Sequence, residues 1–111
     1  MELPNRTKNL LSSNNFNFIH LNSVESTMTS IKNFVGRKNI CLLADKQTLG
    51  IGRRGNEWVS PKGNIYISFL IKYDLSIEKH FLFSALTANS IIKFLKKYIN
   101  ENINIKWPND I

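Results

Sequence analysis

Two adjacent arginines enclosed by three glycines, Gly50-Ile51-Gly52-Arg53-Arg54-Gly55, are the residues of this chain best equipped for chemistry, and the chemistry is that of anions. Arginine stays charged and presents a planar fork of donors that matches phosphate and carboxylate oxygens. Glycines let the backbone adopt left-handed conformations and come close to a ligand. Successive exposed N–H groups in such a turn form an anion-binding concavity. Trp58 follows, and Pro61-Lys62-Gly63-Asn64 reads as a turn. The combination predicts a loop that closes over an anionic ligand.

Gly50-x-Gly52-x-x-Gly55 also satisfies the dinucleotide-binding fingerprint, with Asp74 about twenty residues beyond it. That fingerprint requires a helix opening at the loop, whose N-terminus holds the pyrophosphate. Here the loop runs into Asn56-Glu57-Trp58-Val59-Ser60-Pro61 and then an alternating stretch, so no helix is expected. The dinucleotide reading fails its own context test.

Three further groups could face a ligand. Ser26 and Thr27 stand directly before Ile31, Phe34 and Val35 at helical spacing, with Gly36 as a stop. Ser26 can simply cap that helix, or the hydroxyls and free N–H groups can meet a small polar ligand; both readings stay open. Gln47 lies at the lip of a strand, where its amide can donate and accept toward a neutral group. Asn109 and Asp110 end the chain's last alternating run, at the kind of strand edge where sheet-and-helix folds bind ligands. A carboxylate beside an amide suits a magnesium–nucleotide complex, and a plain surface turn suits the residues equally. His20 and His80 have no His or Cys partner at metal-ligand spacing and read as structural or surface groups.

The elements that must hold these groups follow from periodicity. Residues 1–15 are polar without a period and read as a loose arm; residues 16–111 carry the folded domain. Residues 16–21 and 39–45 read as strands. Residues 64–72 are the clearest strand, with Ile65, Ile67, Phe69 and Ile71 on one face and Tyr66, Ser68, Leu70 and Lys72 on the other. The apolar face predicts a central strand covered on both sides. A long helix is expected from Ser76 to about residue 99, with Lys93, Lys96 and Lys97 toward its end, where positive charge suits the dipole. Residues 102–106 alternate as a last strand.

At 111 residues the chain is one modest domain at most. Cys41 is the single cysteine, which excludes an internal disulfide and fits a reducing compartment. It sits in an apolar run, so a buried inert thiol is expected rather than a nucleophile. No secretory signal and no membrane-length apolar run is present, so a cytoplasmic protein without a membrane partner is expected. The net charge of +7 raises nucleic acid as a partner. The lysines are dispersed without a dense block, so the charge reads as solubility and steering, with no specific nucleic acid expected.

In order along the chain stand four blocks: Glu25-Ser26-Thr27-Met28; Gln47-Thr48-x-Gly50-x-Gly52-Arg53-Arg54-Gly55-x-x-Trp58; Ser60-Pro61-x-Gly63-Asn64-Ile65-Tyr66-x-Ser68; and Lys106-Trp107-Pro108-Asn109-Asp110. With them the chain resembles the catalytic domain of the biotin protein ligases, over roughly residues 18–111. The second and fourth blocks together are highly specific. Lipoate ligases, which share the adenylation logic, are the nearest alternative and fit the arginine–glycine loop less well.

The resemblance implies an α+β fold of the class II synthetase type, a mixed sheet with helices against one face. It implies ATP and biotin as substrates, with Mg2+, and the biotin carboxyl carrier domain of a carboxylase as protein partner; it leaves a homodimer open. Biotin would contact Ser26, Thr27, Met28, Gln47, Gly50, Ile51, Gly52 and Arg53. The nucleotide would contact Arg54, Gly55, Trp58, Asn109 and Asp110, with Asp110 toward the metal. Arg53 and Arg54 would be catalytic, neutralising charge as two anions are joined, while Ser60, Tyr66 and Ser68 would be structural. Ile51 departs from the resemblance, standing where the family usually has arginine. The family's next block, with a lysine that contacts the activated carboxylate, would lie beyond Ile111, so the 111 residues are expected to be catalytically weak or inactive alone. Neither a DNA-binding segment before the ligase region nor a repressor role is expected.

Overall fold

A computed structural model describes residues 3–74, 76–108 and 110–111. Three strands, β1 (Phe16–Leu21), β2 (Asn39–Ala44) and β3 (Tyr66–Leu70), form one mixed sheet in the order β1-β2-β3. β1 runs parallel to β2, from Phe16 opposite Asn39 to Leu21 opposite Ala44. A parallel pair needs a crossover, and this one carries the short helix α2 (Thr27–Ser30) and a 3-10 turn over Ile31–Phe34. β3 returns antiparallel to β2, with Leu42 opposite Ser68 and Ala44 opposite Tyr66. The architecture is the α+β class that the sequence predicts.

Every residue from Ile40 to Ala44 is buried, as expected of a strand with neighbours on both edges and cover on both faces. On one face Ile40 and Leu42 meet Ile31 from the crossover, with Ile19, Leu21 and Leu70 packed around them. Cys41 is buried on β2, and burial pushes its thiol up to about 11, so it carries no thiolate at neutral pH.

Two expectations for this part of the chain are corrected. The segment expected as a loose arm contains a helix, α1 (Asn5–Ser13), with no buried residue. Lack of an apolar period reports only that no face is buried; the helix is closed locally by Asn14, whose N–H and side chain both bond the Leu10 carbonyl. β3 is an edge strand of the sheet rather than a central one, and its apolar face is the open one: Ile67 and Phe69 are 43% and 52% exposed. The mixed face turns inward because its polar groups find partners there. Ser68 donates to the Thr27 hydroxyl at 2.9 Å, and Tyr66 donates to the Pro61 carbonyl at 2.8 Å.

His20, at the end of β1, and Asp45, just past β2, are joined by a 2.8 Å contact between Nε2 and Oδ1. That hydrogen bond holds the Asp45 carboxyl below its ordinary range, and the charge of Lys62 acts in the same direction. A lowered carboxylate contributes stability that is fully present above its unfolded value of about 3.9 and is lost as pH falls through the folded value. Asp45→Asn is therefore expected to flatten the acid limb of the stability profile. Thermal melts between neutral pH and about pH 3 test this, and equal acid sensitivity in both proteins would refute it.

The chain divides after Lys72 into two compact units. The second contains a 3-10 turn at Ile77–Lys79 and the helix α3 (His80–Leu95), with Lys93 in its last turn and Lys96 as its cap. Tyr73 and Phe83 stack edge to face at 5.5 Å within this unit. Residues 102–105, expected to open a strand, are not in one: among the described residues they have no ladder partner, and alternation without a partner does not make a strand. Lys106 and Asp110 instead close a turn through a pair of backbone hydrogen bonds. No helix among the described residues is long and apolar enough to cross a membrane.

Candidate biotin and nucleotide site

Gln47 is the hub of the first unit's polar residues. The chain leaving β2 makes single bridges at Gln47 to Val24 on one side and to Ser60 on the other. The Gln47 N–H donates to the Ser60 carbonyl at 3.1 Å, and the Thr48 N–H donates to the Val24 carbonyl at 2.9 Å. Those bridges hold the Gln47 side chain over the start of α2. There its Oε1 accepts from the Thr27 N–H at 2.7 Å and from the Thr27 hydroxyl at 3.1 Å.

The start of α2 is tied to Gln47 rather than capped by its own serine. Ser26 has the extended backbone of an N-cap, but its side chain makes no cap bond. The first free N–H of the helix goes to Gln47 instead. Ser26, Thr27 and Ser60 are all buried, at 2%, 6% and 4% exposure, so their polar atoms must be matched within the protein. Gln47 Nε2 donates to Ser60 Oγ at 2.9 Å, and Ser60 Oγ donates to the Trp58 carbonyl at 3.0 Å. Ser60 and Ser68, expected only to be structural, thus touch two of the residues expected to face biotin. The signal for Ser68 was in the alternation of 64–72, which puts it on one face with Tyr66; Ser60 gave none, because its role depends on a bridge to Gln47.

The glycine–arginine segment is a narrow hairpin. Trp58 N–H donates to the Gly50 carbonyl at 2.8 Å, Gly52 N–H to the Asn56 carbonyl at 2.7 Å, and Ile51 bridges Glu57. Arg53, Arg54 and Gly55 form its tip, with Arg54 and Gly55 in left-handed conformations at φ 59° and 78°. Gly50 at the base is needed for space rather than for φ. A Cβ there would lie 2.3 Å from the Trp58 carbonyl oxygen and 2.7 Å from Ser60 Oγ. No helix follows the tip, in keeping with rejection of the dinucleotide fingerprint.

The structure therefore gathers Ser26, Thr27, Gln47 and Gly50 into one neighbourhood and carries Arg53 and Arg54 away from it on an exposed tip. Met28, Ile51 and Trp58 are 53%, 46% and 59% exposed. A depression of about 270 Å³ beside Gln47, Trp58 and Ser60 is open to solvent and smaller than the roughly 300–1,000 Å³ of an enclosing small-molecule pocket. Asp110 belongs to the second unit, and Asn109 lies outside the described residues. Among the described residues no three of His, Cys, Asp and Glu cluster as a metal cage.

The sequence model of the biotin/lipoate A/B protein ligase family matches residues 21–111. Among curated proteins, the chain is 30% identical over 92 residues to the bifunctional ligase/repressor BirA of Bacillus subtilis, covering 82% of this chain and 28% of that protein. It is 40% identical over 77 residues to the biotin–protein ligase of Schizosaccharomyces pombe, covering 63% of this chain and 12% of that protein. Among solved structures, the biotin protein ligase from Aquifex aeolicus in complex with biotin and ATP matches with a TM-score of 0.63 and 29% identity, over 84% of this chain and 40% of that one. The biotin acetyl coenzyme A carboxylase synthetase from Helicobacter pylori with bound biotinylated ATP matches with a TM-score of 0.59 and 27% identity, over 82% and 46%. The chain thus spans less than half the length of each of these relatives. Sheet, hairpin and family match coincide over most of its own length, and the chain belongs to the biotin/lipoate A/B protein ligase family.

Proposed function

We propose that this chain supplies the biotin-binding part of a biotin–carboxyl-carrier-protein ligase. One observation carries the reading: the Gln47–Thr27–Ser60 network of neutral donors and acceptors sits at the base of a hairpin whose tip bears two guanidinium groups. Biotin has that same division, a neutral polar head and a carboxylate tail. Ser26, Thr27, Met28 and Gln47 receive the head, and Gly50, Ile51, Gly52 and Arg53 border the chain leading to the carboxylate.

In the reaction the biotin carboxylate oxygen attacks the α-phosphorus of ATP, and pyrophosphate leaves with the electrons of the cleaved P–O bond. A lysine amine of the carrier domain then attacks the acyl carbon, forming an amide and releasing AMP. Both partners in the first step are anions, so charge neutralisation dominates its barrier. Arg53 and Arg54 provide it, with Gly55 and Trp58 beside them on the nucleotide side; the resemblance alone assigns Asn109 and Asp110 to the nucleotide. Asp110 would hold Mg2+, which withdraws charge from the phosphate oxygens when bound. Ordering of the hairpin over the mixed anhydride shields it from water. The biotin- and nucleotide-bound relatives from Aquifex aeolicus and Helicobacter pylori support this reading.

Calorimetry with biotin and with lipoate, each alone and then with ATP, tests it. Biotin is expected to bind with lipoate silent, and Arg53→Ala is expected to remove any gain from ATP. Binding of lipoate in preference to biotin would shift the assignment to the other branch of the family, and binding of neither would reject it. Transfer to a biotin carboxyl carrier domain is the second stage. The chain spans 40% of the Aquifex aeolicus ligase, so transfer is expected to be slow or absent for these 111 residues alone.

A further inference from the structure

We propose that the end of the sheet remote from Gln47 is a docking surface for the phosphate backbone of nucleic acid. It goes beyond the ligase reading and does not depend on it. The sheet sorts the charges of the first unit. Its described acidic residues, Glu25, Asp45 and Glu57, all lie past the C-terminal ends of β1 and β2, on the side where Gln47 stands. The opposite end, where β2 begins and β3 finishes, bears Lys32, Arg37, Lys38 and Lys72, all of them exposed. Strands of this length set the two ends about 17–20 Å apart.

Dispersed along the sequence, these cations are gathered by the strand register. β2 and β3 pair antiparallel as far as Ile40 opposite Leu70. Past that pair the two chains stay together, because the Lys72 N–H donates to Asn39 Oδ1 at 2.8 Å. Carried two residues further, the same register sets Lys38 opposite Lys72. Lys32 joins them on the 3-10 turn, next to Ile31, which packs in one cluster with Ile40 and Leu70. None of the four cations has an ion-pair partner among the described residues. Like charges directly across a ladder destabilise it, and a carboxylate at either position would relieve the repulsion. This unit keeps its described carboxylates at the other end of the sheet, so an anion from outside is the partner the cluster fits.

Among polyanions nucleic acid fits this arrangement best. A duplex carries one charge about every 1.7 Å of its axis, so neighbouring phosphates meet neighbouring cations without fine register. Arg37 can take a phosphate through its fork. Such contacts position a duplex and carry no sequence information, which suits side chains that are exposed and unbraced. A membrane surface is held by an amphipathic helix that buries apolar area beside the charges, and here there is only the four-residue turn Ile31–Phe34. A carrier domain is not served either, because its lysine has to reach the opposite end of the sheet.

Fluorescence anisotropy of a labelled, mixed-sequence DNA duplex across a salt series tests this. At low salt a dissociation constant on the order of 10 µM is expected, with a slope of log affinity against log salt of about −3 to −4, the value for four phosphate contacts. Lys38→Gln is expected to weaken binding and to reduce the slope by about one. In the same variant the thermal midpoint is expected to rise, because the repulsion from Lys72 is gone. Weaker binding together with a raised midpoint is a signature that a damaged fold does not give. Should Lys38→Gln not fold, Lys72→Gln carries the same two expectations. The triple variant Lys93→Gln, Lys96→Gln, Lys97→Gln, at the end of α3, is expected to retain most of the binding. Equal loss in that triple variant overturns the assignment, as does a wild-type chain that leaves the duplex free. Tighter binding to phosphatidylserine vesicles or to a polyglutamate peptide than to the duplex overturns it as well. Biotin calorimetry on Lys38→Gln is expected to match wild type, so failure of the ligase reading and failure of this one are seen separately.

Discussion

Gly50→Ala is expected to abolish biotin binding and to open the hairpin at its base. The added Cβ would stand 2.3 Å from the Trp58 carbonyl oxygen, well inside van der Waals contact. That obstacle is backbone and cannot rotate aside. Relief requires the two arms to separate, which breaks the 2.8 Å bond from the Trp58 N–H to the Gly50 carbonyl and draws Ser60 away from Gln47. Overpacking of this kind costs about 1–3 kcal/mol, and lost hydrogen bonds add to it. Gly55→Ala is the control: Gly55 has φ 78° with nothing within 4 Å, so a side chain there meets only backbone strain of about 1–2 kcal/mol. Hydrogen exchange at the Trp58 amide and biotin calorimetry are expected to show severe loss for Gly50→Ala and a mild effect for Gly55→Ala. Comparable behaviour of the two variants would show that the glycines serve flexibility and not close approach.

Leu42→Ala is expected to have the largest effect on stability. Leu42 has no exposed surface, and it packs between Ile31 of the crossover and Ile40 of its own strand. Leucine-to-alanine changes at such sites cost about 2–5 kcal/mol, a term that grows with the cavity left behind. A domain of this size has a total of only about 5–15 kcal/mol. Loss of the Ile31 contact also loosens the crossover that carries Thr27, so the site weakens along with the core. Urea unfolding followed by circular dichroism measures the shift, and a midpoint within error of wild type would show that Leu42 is not the centre of this core.

Much of the candidate site's neighbourhood was legible from residue types. Charged forks, glycines and an amide near a strand end are local facts, and Arg53, Arg54, Gly50, Gln47 and Thr27 all announce themselves in this way. The rejection of a dinucleotide fold was equally local, because a helix either begins after the loop or does not. What residue types could not report was which face of β3 turns inward. Ile67 and Phe69 outrank Ser68 in hydrophobicity, yet Ser68 points inward because Thr27, 41 residues earlier, offers its hydroxyl a partner. The helix in residues 5–13 was missed for a related reason: its stabilising contacts are with its own end and with β1, neither of which leaves a period in the sequence.

The sequence alone determined which chemical groups this protein can present: two guanidiniums on a glycine turn, and hydroxyls with an amide, in the order of a known family. Composition and spacing carry that much because ionisation, hydrogen-bonding capacity and glycine's small size belong to the residues themselves. Only the tertiary structure decided which groups meet. Gln47 reaches Thr27 across 20 residues and Ser60 across 13, and the direction of each hydrogen bond depends on both ends being present. Polarity can be read one residue at a time, but orientation is a property of pairs, and the pairs here are made by two single bridges at the edge of a small sheet.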